Sequence, residues 1–145
     1  MRLYLDTSSL VKLFHTEPGS QLVSELVSDQ KNSLWILDLA KVEYHCQLYR
    51  KIRNREITED DVKSLSEDFD LVVRSFHLEM LSSAIVDEAM LLLNRLGRTN
   101  GLRTLDALHL AAFCALAEGE DWRFVTSDKH LFTCACELGY AGIQT

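Results

Sequence analysis

The chain has 145 residues, 47% of them hydrophobic, with one Pro and six Gly, a composition that fits a single domain over residues 1–145 with a real core. Asp6 and Lys12 interrupt any apolar leader, and no stretch reaches the roughly 18 uninterrupted apolar residues of a membrane helix; a cytoplasmic protein with no membrane contact is expected. A net charge of −7 argues against a generic basic nucleic-acid binder and favours either acids gathered to hold cations or a basic partner.

"RLYLDTSSLVKLF" opens with a run fit for a buried strand over 2–6 that ends on a carboxylate, Asp6, and a helix is expected from Ser8 to about His15. Glu-Pro-Gly then marks a turn, after which Leu22, Val23, Leu26 and Val27 recur at helical spacing. "SLWIL" (33–37) reads as the second strand and "DLAKVEYHCQLYRKIRNR" as a long helix. Thr58 is placed to cap the next helix, with acids in its first turn to suit the helix dipole. A weaker strand is expected near 72–78, "VVRSFHL". Two helices follow, one closed by Gly97 and one, "RTLDALHLAAFCALAEG", closed by Gly119. "WRFVT" (122–126) is a strand, "SDKHLFTCACELG" a helix with Gly139 after it, and "AGIQT" a last short strand. Strands alternating with helices predict a three-layer α/β/α fold with a parallel sheet of four to five strands. The cysteines Cys46, Cys114, Cys134 and Cys136 lack CxxC or zinc-like spacing and read as buried free thiols.

In parallel sheets, functional groups gather beyond the carboxyl ends of the strands. That rule selects Asp6 at the end of the first strand and Asp128 just past "RFVT". Glu43 lies about one turn into the helix after the second strand, and Asp106 in the first turn of the helix that begins near Arg103. Each has a plain explanation. Asp6 and Asp128 can cap helices, Asp106 can answer a dipole, and Glu43 can be an exposed helix residue. Asp38, at the tip of "WIL", is explained by capping alone. Four acids meeting at one edge would repel one another unless neutralised, and only Arg103 and Lys129 stand beside them in sequence. A hard divalent cation, Mg²⁺ or Mn²⁺, suits carboxylate and water oxygens and can activate water for in-line attack on phosphorus.

At these residues the chain resembles the PIN-domain ribonucleases, specifically the VapC-type toxins of toxin–antitoxin pairs. "LDTSSLVKLF" followed by "EPGS", then "LAKVEYHC", "GLRTLDALHLAAFCALAEG" and "FVTSDKHLFTCACELG" match the family's segments in order over nearly the whole chain. The resemblance implies Asp6, Glu43, Asp106 and Asp128 as catalytic acids and metal ligands, with Ser8 and Thr126 beside them holding waters or carboxylates. It also implies magnesium-dependent cleavage of RNA phosphodiesters, a homodimer, and inhibition by a small antitoxin. A housekeeping PIN nuclease and a non-catalytic RNA- or protein-binding module are the alternatives.

Phosphate contacts are expected from Lys12, Arg50, Arg53, Arg103 and Lys129, although the run at 50–55 also reads as a solvated helix end. His109, one turn beyond Asp106, reads either as a helix-face residue or as a group facing the substrate or orienting water. Val11, Leu13, Phe14, Leu22 and Leu26 exceed one core-facing stripe; they suit either an antitoxin groove or ordinary packing. An aspartyl phosphatase would need an acid where Ser8 stands, and a receiver domain would need an acceptor Asp that "VVRSFHL" does not offer.

Overall fold

The computed structural model describes residues 1–119 and 121–145. Its sheet has five parallel strands in the order β3-β2-β1-β4-β5: β1 (Arg2–Leu5), β2 (Ser33–Leu37), β3 (His77–Glu79), β4 (Trp122–Thr126) and β5 (Gly142–Gln144). The helices are α1 (Thr7–Leu10), running into a 3-10 turn at Val11–Leu13, α2 (Ser20–Ser28), α3 (Leu39–Arg53), α4 (Glu59–Val73), α5 (Ser83–Asn100), α6 (Thr104–Leu116) and α7 (Lys129–Glu137). Among the described residues no helix is long and apolar enough to cross a membrane.

Strand alternation builds two cores, one on each face of the sheet. Leu3, Leu5, Leu34, Ile36 and Val125 pack with α1 to α4 on one side. Tyr4, Leu37 and Phe124 pack with α5, α6 and α7 on the other. The predicted three layers are therefore present. α6 is apolar nearly all round and buries His109 to Phe113, as a helix inserted between sheet and neighbours must. On the opposite face the ring of Phe69 stacks on Tyr44 at 4.2 Å with Phe14 tilted against both, and all of Phe69 is buried. Phe69→Ala should cost about 3–5 kcal/mol, read as a lower denaturant midpoint with little change in slope.

Several local expectations shift. The first helix is shorter than predicted and breaks into a 3-10 turn before Phe14. Residues 72–73 finish α4 instead of starting a strand, because the apolar run there continues the helical stripe that ends in buried Val73; β3 begins only at His77. Gly97 stays inside α5, which ends at Gly101, where φ is +63° and a side chain would be strained. α6 stops at Leu116, with Gly119 in the turn beyond. Asp38 does not cap α3; its Oδ1 accepts the Leu81 N–H at 3.0 Å and pins the segment after β3. Val11 is buried, Leu13, Phe14 and Leu26 are half-buried in the second core, and Leu22 alone of those five is exposed, so ordinary packing absorbs the apolar surplus. All four cysteines are free, but Cys46 and Cys136 are exposed instead of buried. Burial pushes the Cys114 thiol up to about 11.

Candidate active site

The chain runs from β1 outward through β2 to β3, then returns to β4 on the other side of β1. The crevice where direction reverses lies between the carboxyl ends of β1 and β4, the place where such sheets bind ligands. Asp6 enters it directly. Its backbone N–H extends the β1–β4 ladder to Val125, and its carboxylate accepts from the Ser9 N–H at 2.9 Å, capping α1. Ser8 Oγ lies 2.8 Å from both carboxylate oxygens, and Thr126 Oγ1 donates to Oδ2 at 2.7 Å. Every one of these donors is neutral. Burial pushes the Asp6 carboxyl up, against the charge of His109 and the hydrogen bonds from Thr126, Ser9 and Ser8.

Thr126 links the first acid to the last. While donating to Asp6, its Oγ1 accepts the Asp128 N–H at 3.0 Å, and Ser8 Oγ accepts the Ser127 N–H at 2.9 Å. Asp128 caps α7, its Oδ1 accepting from the N–H groups of His130 and Leu131 at 2.8 and 3.1 Å. Its Oδ2 faces Arg103, whose Nη2 donates at 3.0 Å while Nε donates to Asp106 Oδ2 at 2.9 Å. One exposed guanidinium thus bridges two acids from α6 and α7. Asn100, Leu102, Arg103, Asp106, Asp128 and His130 line an open cleft of about 390 Å³.

Glu43 reaches the same edge from α3, on the other face of the sheet. Its Oε2 accepts from Thr7 Oγ1 and from His109 Nε2, the latter at 2.6 Å. Burial alone would raise this carboxyl; the His109 hydrogen bond and charge, with Thr7, outweigh it and hold Glu43 below the ordinary 4.5. A depressed carboxylate contributes stability above its unfolded pKa and loses it as pH falls through the lower folded value. Glu43→Gln should therefore flatten the acid side of the stability curve below about pH 4.5, measured by thermal melts.

The four predicted acids therefore share the carboxyl edge, with Ser8 and Thr126 between Asp6 and Asp128. Among the described residues, however, no three His, Cys, Asp or Glu side chains stand close enough to share one ion. Arg103 occupies the position of positive charge between Asp106 and Asp128. The donor type still fits a hard divalent cation: a buried carboxylate whose hydrogen-bond donors are neutral, next to a pair of acids held by one exposed side chain.

The basic residues divide. Arg103 and Lys129 sit at the edge and are exposed, and Arg50 and Arg53 are exposed at the far end of α3, about 10–15 Å along the helix from Glu43. Lys12 is buried, and its Nζ donates to the Pro18 carbonyl at 2.6 Å, so it faces the turn before α2 and not the crevice. His109 is 3% exposed and faces inward, which removes the substrate-facing reading. Thr7 and Tyr4 went unnoticed in the sequence. Thr7 follows Asp6 and opens α1, a position whose hydroxyl faces the strand edge; Tyr4 read simply as strand core.

An all-parallel sheet between two helical layers, with acids from β1, α3, α6 and β4–α7 at its switch point, defines a class of acid-edged α/β/α domains. The family model for the PIN domain matches residues 3–135, and the chain belongs to that family. It is 32% identical over 138 residues to Ribonuclease VapC45 of Mycobacterium tuberculosis (strain CDC 1551 / Oshkosh), covering 94% of this chain and 91% of that one. VapBC-1 from nontypeable Haemophilus influenzae has the same fold, with a TM-score of 0.66 at 13% identity over 99% of this chain and 98% of the other. A toxin–antitoxin complex from Klebsiella pneumoniae gives 0.61 at 15% identity over 90% and 89%.

Proposed function

We propose that this protein is a divalent-metal-dependent endoribonuclease and the toxin of a toxin–antitoxin pair. The observation that carries the chemistry is Asp6: a buried carboxylate whose hydrogen-bond donors Ser8, Ser9 and Thr126 are all neutral, at the switch point, with three more acids delivered to the same edge by separate elements. The likeness to a relative named a ribonuclease supports RNA as substrate.

Asp6, Asp106 and Asp128, with Glu43, would hold Mg²⁺ or Mn²⁺ only after Arg103 leaves the Asp106–Asp128 pair and the carboxylates draw together. When bound, the cation supplies positive charge to the attacked phosphate and acidifies a water. The chain's own groups do the rest. Thr126 and Ser8 fix the Asp6 carboxylate, Asp128 is held by the first amides of α7, and Arg103, once released, offers a planar guanidinium to a phosphate of the RNA. Lys129, Arg50 and Arg53 extend the positive track. Arg103 and a cation compete for the same two carboxylates, so Arg103→Gln should raise Mn²⁺ affinity about three- to tenfold in titrations without RNA while weakening RNA binding.

The test of the activity is cleavage of a panel of structured RNAs with Mg²⁺ and its loss in EDTA. The solved toxin–antitoxin complex of the same fold supports a protein partner. An amphipathic antitoxin segment suits the groove between α3 and α4, lined by Tyr49, Ile52 and Val62, where Tyr49 is 53% exposed. Co-purification from the native host should yield a small second chain whose removal unmasks cleavage. A homodimer is proposed through Met80, Val86 and Met90, which α5 and the segment before it leave exposed; Met90→Glu should then give a monomer by sedimentation equilibrium.

A further inference from the structure

His109 lies on α6, in the helical layer on one face of the sheet, and Glu43 on α3, in the layer on the other. Their side chains meet at 2.6 Å over the end of β1, a contact between residues 66 positions apart. The ring is 3% exposed and both of its nitrogens have partners. Nε2 faces Glu43 Oε2 and stands 3.1 Å from Thr7 Oγ1, and Nδ1 stands 3.2 Å from the hydroxyl of fully buried Tyr4. Tyr4 in turn stacks on Phe124 with ring centroids 5.7 Å apart and is tilted against Phe113 at 5.8 Å. The imidazole therefore has no freedom to turn toward a substrate. A Glu side chain on a helix has three rotatable bonds, yet this one is clamped on a single oxygen by two donors from β1–α1 and α6.

We propose that His109 is a positioning residue for Glu43: with Tyr4 fixing its ring and Thr7 completing the clamp, it holds the α3 carboxylate in one orientation at the sheet edge, where it would serve a divalent cation together with Asp6. This rests on the reading of Glu43 as part of the nuclease site. The arrangement is that of a supporting partner which orients a ligand through a hydrogen bond, and loss of such partners commonly lowers metal affinity or activity 10–100-fold. It also explains why α6 carries a polar residue in the midst of Ala107, Leu110 and Ala111, where an apolar side chain would pack without needing partners.

The test compares His109→Leu, His109→Gln and Tyr4→Phe with the wild type for kcat and KM on one cleaved RNA, Mn²⁺ affinity by calorimetric titration, and melting temperature. His109→Leu should lower kcat or Mn²⁺ affinity about 10–100-fold with KM for RNA within about threefold of wild type. His109→Gln, whose amide can still donate to Glu43, should recover at least about tenfold of that loss, and Tyr4→Phe should cost only a few-fold. In a Glu43→Gln background, His109→Leu should add almost nothing, since the two act as one unit. A lowered melting temperature with wild-type kcat and Mn²⁺ affinity would overturn the proposal in favour of a packing role. So would a rise in KM alone, no advantage of Gln over Leu, or independent losses in the double variant. Full activity of Glu43→Gln beside an active wild type would also overturn it. Should the wild type cut no RNA at all, the nuclease reading fails, and the Mn²⁺ affinities of the same variants decide the role of His109 separately. If the His109→Leu substitution prevents folding, the His109→Gln and Tyr4→Phe variants still decide it.

Discussion

Asp6→Asn should lower RNA cleavage by at least about a hundredfold and leave the melting temperature in EDTA unchanged or higher. Asn fits the site: its oxygen can accept the Ser9 N–H, and its amide can donate to Thr126 Oγ1, which turns its own proton away. What is lost is the charge. Burial raises the Asp6 carboxyl, so between its ordinary 3.8 and the raised value the folded state binds more protons than the unfolded. Stability therefore falls as pH rises through that window, and above it the ionised Asp6 is a standing cost. Asn removes the cost at neutral pH. The advantage should shrink as pH falls through the raised value and vanish well below 3.8, where Asp6 is protonated in folded and unfolded chains alike. Thermal melts of the two proteins across pH, beside their cleavage rates, check both halves. A buried carboxylate kept at a cost to folding is what a site selected for chemistry contains.

Asp128 caps α7 and, in the proposed nuclease, also supplies a carboxylate of the site, and two substitutions separate these roles. Asp128→Ala removes the N-cap of α7 along with a carboxylate of the edge. It should lose about 1 kcal/mol or more of stability, seen in the denaturant midpoint, as well as activity. Asn caps a helix about as well as Asp, so Asp128→Asn should fold with near-native stability while cleavage falls by a similar factor to that of the Ala variant. The comparison distinguishes a structural cap from a functional acid, a choice that the sequence alone leaves open for this residue.

Most of the framework was legible because it follows from local periodicity. Apolar runs at 3–5, 34–37 and 122–126 leave little choice but buried parallel strands, and the rule that sites gather at strand carboxyl ends picked Asp6 and Asp128 from 22 acids. Failures came where distant residues decide. Asp38 has a capping position, but Leu81, 43 residues away, takes its oxygen. Lys12 follows Asp6 by six residues, yet the Gly19 turn folds back over it, with the Pro18 carbonyl as its partner. His109 could be placed on α6, but not on the side that meets Glu43 above β1, because that contact depends on both helical layers closing on the sheet. Arg103 was readable as a neighbour of Asp106; its second bond, to Asp128, required the third dimension.

Cleavage rate against Mg²⁺ concentration, for the wild type and Asp106→Asn purified alike, is the most direct measurement. Among the described residues Asp106 is held by an exposed Arg103 at the mouth of the cleft, so its conversion to Asn should leave the fold intact. The wild-type rate should rise with Mg²⁺ and vanish in EDTA, and the Asp106→Asn rate should be at least about a hundredfold lower at saturating cation. Full magnesium-dependent activity in Asp106→Asn, or wild-type cleavage that persists in EDTA, would contradict the assignment of these acids to a metal-dependent nuclease site.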